Sequence, residues 1–573
     1  MNEGFKRANP ARRHPAAGTT GAAQIARFAG PWVAILLATI LPGCSMNHSA
    51  KSIPFDLKIT NGRVLDGTGA PWYRADIGVR GDTIAAIGDL SATPAKATIN
   101  AHELIVAPGF IDLLGQDENS VLNDPHVEAK VRQGMTSELT GEGFSAGPMK
   151  RNPDAKPPQR WTTLGGYFDL VDRQGSAINI ASLVGSSNPR EMVIGDINRP
   201  PTAAEMQEME RIVDQAMREG AMGLSSSLIY LPAMYSTTEE LVALAKIAAA
   251  HGGVYFSHMR DEGDRIDMGL DEAFRIGREA KIPVNIWHLK VGGAANWGTM
   301  PHVVSRIEAA RVEGIDVAAN VYPYAASGTS LSTLAPDWAL EGGYAAFQQR
   351  LQDPEQRARI AEAFRAQIAK RREHGIYVSN IGVPALSQYS KHFIEEIATA
   401  MNLAPDEALI RLFSETTHSP SVIYFSMNED DVRTALRQPW VSIGSDSGAP
   451  SPAARAAALS VHPRGYGTFA RVLGRYSRDE KLFTLEEAVR KMTSQAADRA
   501  NMKDRGILRP GMKADIIAFD PATIRDVATY EDPHHFSEGV MDVVVNGVPV
   551  LIDGTMTQAL PGRTLRGPGY SRP

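Results

Sequence analysis

At 573 residues the chain exceeds one ordinary core, and its length allows roughly two to four domains. Hydrophobic and charged fractions of 43% and 22% are those of a soluble globular protein. A net charge of −6 with no long basic run argues against nucleic acid as a partner.

The N-terminus carries Lys6, Arg7, Arg12, Arg13 and Arg27, then an apolar run from Trp32 to Leu41, then Pro42-Gly43-Cys44-Ser45. That run is too short for a membrane span, which needs about 20 residues. A basic region, a short apolar stretch and a small residue before the cut describe an export signal over residues 1–43. The ending resembles a bacterial lipobox, and Cys44 is the only cysteine of the chain. The expectation is an exported, periplasm-facing protein anchored to a bacterial membrane through lipidated Cys44, with 44–54 as a tether.

From Phe55 to Val106, short alternating strands are separated by Asn61-Gly62 and Gly81-Asp82, the pattern of a β-meander. A matching block lies at the far end, with strands around Ile516, Val544 and Leu551. The two blocks, 55–107 and 501–565, predict a small β-sandwich built from both chain ends, followed by a tail over 566–573. Between them, strands near Ile111, Ser137, Ile180, Gly223, Tyr255, Ile286, Ala318 and Ser442 alternate with helices. One of those helices opens at Thr202-Ala203-Ala204-Glu205, a capping box. Eight such units predict an α/β fold, a (β/α)8 TIM barrel over 108–500. Strands seven and eight are separated by nearly 120 residues, which predicts an insertion over about 331–420 on the face where such barrels build their sites.

Polar residues at barrel strand ends are the catalytic candidates. Strand two ends in Thr140-Gly141-Glu142-Gly143, strand five in Ser257-His258-Met259-Arg260 and strand six in His288-Leu289-Lys290, while strand eight runs into Ser445-Asp446. Two imidazoles and a carboxylate aimed at one mouth are the ligand set of a catalytic zinc.

Together with Pro108-Gly109-Phe110-Ile111-Asp112, Tyr322-Pro323-Tyr324 and His462-Pro463-Arg464, these blocks resemble the N-acyl-D-amino-acid deacylase (D-aminoacylase) branch of the metal-dependent amidohydrolases. The resemblance covers about residues 55–565. It implies that His258 and His288 are zinc ligands, that Asp446 is the general acid/base and that a metal-activated water cleaves an amide, helped by Tyr230. Two departures stand out. The first-strand His-x-His of the family is Leu114-x-Gln116, and its strand-two Cys position holds Gly143. Glu142 is the nearest substitute ligand, and loss of the first-strand histidines implies one zinc ion instead of two. A free carboxylate on the small-molecule amide substrate would call for Arg260, Lys290 or Arg464. Tyr324, His462 and Gln116 would serve as walls or hydrogen-bonding groups. Two alternatives remain at this level: hydrolysis of another C–N bond, cyclic amide or carbamoyl, and a catalytically degenerate ligand-binding surface lipoprotein.

Overall fold

The computed structural model describes residues 54–571, apart from 155, 157, 458 and 459. The export signal and Cys44 lie outside the described residues. Eight parallel strands form the centre of the molecule. In chain order they are Phe110–Asp112, Met135–Thr140, Asn179–Ser182 continued by Val184–Gly185, Gly223–Ser227, Val254–His258, Val284–Ile286, Val317–Val321 and Val441–Ile443. Consecutive strands pair in parallel from the first to the third and from the third to the eighth. Strand eight returns to strand one: Leu113 N donates to Ile443 O at 3.4 Å, Asp446 N donates to Leu114 O at 2.9 Å, and Gly115 bridges Ser447. All residues of these strands are buried. Side chains face a filled interior on one side and helices on the other, and buried polar residues such as Ser137, Glu138, Asn179 and Ser225 interrupt the apolar runs typical of parallel strands.

The helix Ala203–Glu219 shows how local sequence fixes element ends. Thr202 Oγ1 accepts from Glu205 N at 3.3 Å, and the Glu205 carboxylate accepts from Thr202 N at 2.8 Å. Gly220, at φ +112°, then turns the chain out of the helix in a conformation that L side chains avoid.

The two chain ends meet in one nine-stranded sheet. Its seam is the antiparallel pair Ile105–Pro108 and Ile516–Phe519. Leu57, Ile59, Ile77, Val79, Ile516 and Val544 give this small β-domain its own core. The insertion is a second layered unit. Strands Ser327–Ser330, Ile376–Asn380, His392–Phe393 and Ser421–Tyr424 form an antiparallel sheet. Helices Pro354–Ala369 and Pro405–Glu415 cover a core that includes Phe347, Phe364 and Phe413.

One expected boundary shifts. The insertion is bounded by Ser327 and Tyr424, outside the expected 331–420, because its first and last strands pair with each other as a hairpin base. Residues 566–571, in the segment read as a tail, are hydrogen-bonded to the body of the protein. Gly567 N donates to Gly220 O and Ser571 N to Arg218 O, which ties this segment to the bottom of the barrel. Among the described residues, no helix is long and apolar enough to cross a membrane.

Candidate active site

At the C-terminal ends of the barrel strands lies a cavity of about 980 Å³, walled on its outer side by the insertion. Gln116, Glu142, Tyr230, His258, His288, Lys290, Asp446 and Arg464 all line it. Strand five carries His258 as its last residue, and strand six runs past its end into His288. Asn320 of strand seven fixes the second histidine by accepting from His288 N at 2.6 Å. His288 and Asp446 both have left-handed backbones, with φ of +37° and +52°. Such conformations cost about 1–3 kcal/mol each and persist where surrounding structure enforces them.

Glu142, His258 and His288 converge. His258 Nδ1 and His288 Nε2 are 3.0 Å apart and lie 2.9 and 3.0 Å from the same oxygen, Glu142 Oε1. Among the described residues this is the one group of His, Cys, Asp or Glu donors close enough to share a metal ion. Tetrahedral zinc, with bonds of about 2.0–2.1 Å, sets its ligands about 3.3 Å apart, so the three donors need to open by only a few tenths of an ångström. The outer nitrogen of His288 is also provided for, whereas that of His258 has no hydrogen-bond partner. His288 Nδ1 lies 3.0 Å from Glu262 Oε1, and a ring that donates there leaves Nε2 unprotonated toward the cluster. The donor set therefore fits a divalent ion. Burial pushes the Glu142 carboxyl up, but hydrogen bonds and charge from the two histidines outweigh it and hold the group well below the usual range.

Gly143, at the position of the family's strand-two cysteine, has little room for a side chain. It sits at φ +68°, and a Cβ there would lie 2.4 Å from Ser227 Cβ. A cysteine does not fit that position.

Gln116 joins the two key carboxylates. Its amide Nε2 donates to Glu142 Oε2 at 2.9 Å and to Asp446 Oδ1 at 3.0 Å. Leu114 is buried in an apolar cluster with Ile111, Leu139 and Trp287. Asp446 Oδ2 lies 2.6 Å from Arg464 Nη1. Burial raises the Asp446 carboxyl above its usual range, and the Glu142 charge adds to this against the pull of Arg464.

Other sequence candidates fare differently. Tyr230 donates its hydroxyl to, or accepts from, Thr329 Oγ1 of the insertion at 2.5 Å. Lys290 Nζ lies 2.7 Å from Glu262 Oε1 and 2.7 Å from His288 Nδ1. Arg464 Nη2 donates to Gly328 O at 3.1 Å, while its Nε is buried without a hydrogen-bond partner. Arg260 lines the cavity but is committed elsewhere. It grips Glu272 with Nε and Nη2 at 2.9 Å each and donates to the carbonyls of Met234 and Ser236. The guanidinium edge that would fork a carboxylate is already used, so Arg260 is a structural ion pair.

Tyr324 and His462 do not line the cavity. His462 is buried with Nε2 on Ala326 O at 3.0 Å and Nδ1 accepting from Arg464 N, so both ring nitrogens serve the backbone. Tyr324 packs edge-on against that ring, with the Arg471 guanidinium over its face. Sequence reasoning missed Glu262, whose carboxylate faces the outer nitrogens of both histidines at 3.0 and 3.6 Å. The acidic pair Asp261-Glu262 just past strand five was its only trace. Thr329 left no signal, because it comes from the insertion.

Residues 97–551 match the model of the amidohydrolase family. A D-aminoacylase of Alcaligenes xylosoxydans xylosoxydans is 38% identical over 523 residues, covering 90% of this chain and 98% of the relative. The crystal structure of an N-acyl-D-glutamate deacylase from Bordetella bronchiseptica holds zinc and a phosphonate inhibitor that mimics the tetrahedral intermediate. It is similar with a TM-score of 0.77 at 34% identity, over 90% of this chain and 100% of that one. A D-aminoacylase structure described for its binuclear metal centre, with one-metal activation and second-metal attenuation, gives 0.76 at 36% identity over the same shares. With this match over most of its length, and with its histidines at the mouth of a (β/α)8 barrel, the chain belongs to the amidohydrolase family.

Proposed function

We propose that this chain is a metal-dependent hydrolase that cleaves the amide of an N-acyl-D-amino acid or a related D-configured peptide. The observation that carries the reading is the convergence of Glu142, His258 and His288 beside Asp446 in one cavity. The D configuration is carried over from the D-aminoacylase and the N-acyl-D-glutamate deacylase. Glu142, His258 and His288 would hold a single ion, with zinc the best match to two imidazoles and a carboxylate. Gln116 supports the count of one: its neutral amide already satisfies the two carboxylates between which a second cation would otherwise be wanted. The ion, when bound, supplies Lewis-acid polarisation of the scissile carbonyl and acidifies water.

Asp446 takes the proton as water oxygen bonds to the carbonyl carbon, and returns it to the amine nitrogen as the C–N bond breaks. Its raised carboxyl suits both halves, since a group nearer neutrality gives up a proton as readily as it takes one. Arg464 is the cation for the substrate carboxylate. It lines the cavity beside Asp446, whereas the Lys290 ammonium is held on Glu262 and His288. Tyr230 is held by Thr329 at the cavity wall, where it orients the acyl carbonyl.

Steady-state assays of the metal-loaded enzyme on N-acetyl-D- and N-acetyl-L-amino acids test the reading. The expected result is a D over L preference in kcat/KM of about 10²-fold. No turnover of either series, or a preference for L, contradicts it.

Loading should depend on pH in a defined direction. Burial and Lys290 favour the neutral His288 ring, but Glu262, Asp446 and Glu142 outweigh them and push the ring up to about 9 in the metal-free protein. Metal must therefore displace a proton below that pH, so apparent affinity rises from pH 6 to about 9 and then levels. Chelator-competition titrations across that range check the slope, and a flat profile would count against this ligand set.

A further inference from the structure

Beneath the cavity floor lies an ionic cluster that the hydrolysis itself does not consume. Lys130, Asp112, Asp117 and Glu138 are all fully buried. Lys130 belongs to the short helix Glu128–Val131, between strands one and two. Its Nζ lies 2.8 Å from Asp112 Oδ2, 3.3 Å from Glu138 Oε2 and 3.6 Å from Asp117 Oδ2. Both Glu138 oxygens lack hydrogen-bond partners. Burial, with Asp117 adding to it, pushes that carboxyl well above the usual range, which leaves Asp112 as the principal partner of the ammonium.

An ammonium has three protons to donate. Those of Lys130 go to Asp112 Oδ2, to Ser445 Oγ at 3.0 Å and to Ser447 O at 2.6 Å. Asp112 grips the same turn from the other side. Its Oδ1 accepts from Ser445 N at 2.8 Å and from Leu114 N at 3.0 Å, and its Oδ2 accepts from Ser445 Oγ. Ser445 and Ser447 are the two neighbours of Asp446. Between them, Asp446 keeps its left-handed backbone, which presents the carboxylate to Gln116 and Arg464.

We propose that Lys130, acting with Asp112 through Ser445 and Ser447, is a positioning residue that holds Asp446 in the conformation proton transfer requires. This rests on the reading of Asp446 as the proton-transfer group. A cluster kept only to join strands one, two and eight would have no need to bracket a single strained residue with four hydrogen bonds. Lys130 reaches no substrate, because it is fully buried and does not line the cavity.

Ser445→Ala and Lys130→Met, compared with wild type and Asp446→Asn after metal loading, test the proposal. Ser445→Ala removes one hydroxyl and no charge. Its kcat should fall about tenfold, the value of one lost hydrogen bond. Metal content and melting temperature should hold, and its crystal structure should show Asp446 leaving the left-handed region. Lys130→Met should lose about 10²-fold or more in kcat with KM within threefold, as expected for a misplaced catalytic group. With a nearby cation gone, the acid limb of its kcat–pH profile should move to higher pH. Lys130→Met leaves three buried carboxylates without their counter-ion, and if it does not fold, Ser445→Ala decides alone. Wild-type kcat in Ser445→Ala, with Asp446 still left-handed, would overturn the proposal. Full activity in Asp446→Asn would instead overturn the reading beneath it, and the backbone of Asp446 in Ser445→Ala would still report whether the cluster holds the turn.

Discussion

Asp446→Asn lowers kcat by about 10²–10⁴-fold, the range that a positioned general acid–base supplies. The substitution keeps size and shape but removes the basic lone pair. It also forces a mismatch. The carboxylate now accepts from Gln116 on one oxygen and faces Arg464 at 2.6 Å on the other, and an amide can satisfy only one of those donors. The lesion should appear in kcat, with metal content unchanged, since Asp446 is not among the three convergent donors. Parallel kinetics and metal analysis of the purified variant check this. A variant that keeps wild-type turnover would remove Asp446 from the chemistry.

Glu142→Ala abolishes both activity and stable metal binding. Its Oε1 is the atom shared by His258 and His288, so removal leaves two imidazole nitrogens 3.0 Å apart with only two ligands to offer. Two-ligand sites lack the three protein donors typical of catalytic zinc. The neighbours are committed or unsuited: Gly143 has no room for a cysteine against Ser227, Leu114 is apolar, Gln116 presents a neutral amide, Asp446 is held by Gln116 and Arg464, and Glu262 is held by Lys290 on the outer side of the rings. Glu142→Gln sharpens the test. It keeps an oxygen in place but loses the charge, so metal should bind more weakly than in wild type and more tightly than in Glu142→Ala.

Much of this was legible in the sequence, for identifiable physical reasons. Short strands alternating with helices and turn signals mark a parallel barrel, so all eight strand positions could be placed from Ile111 to Ser442 even where a strand such as Gly223–Ser227 is polar. The Thr202–Glu205 capping box is a local motif, and it formed as written. His258, His288 and Glu142 could be nominated because strand ends in a barrel share one mouth. What could not be read was anything set by side-chain direction. Arg260 and Arg464 look alike in sequence, yet one spends its forked edge on Glu272 and the other lies against Asp446 in the cavity lining. His462 and Tyr324 sit in blocks that resemble the family's motifs, but their polar atoms turn into the packing behind the site. Lys130 lies on an unremarkable four-residue helix, and only the folded ring brings it beneath Asp446.

Titrating the metal-free wild-type enzyme with zinc, while following turnover of an N-acetyl-D-amino acid, tests the central claim most directly. Activity should be absent without metal, rise in proportion to added zinc, reach its plateau at one equivalent per chain and stay there in excess. Full activity before any metal is added, or a maximum reached only at two equivalents, would contradict a single ion held by Glu142, His258 and His288.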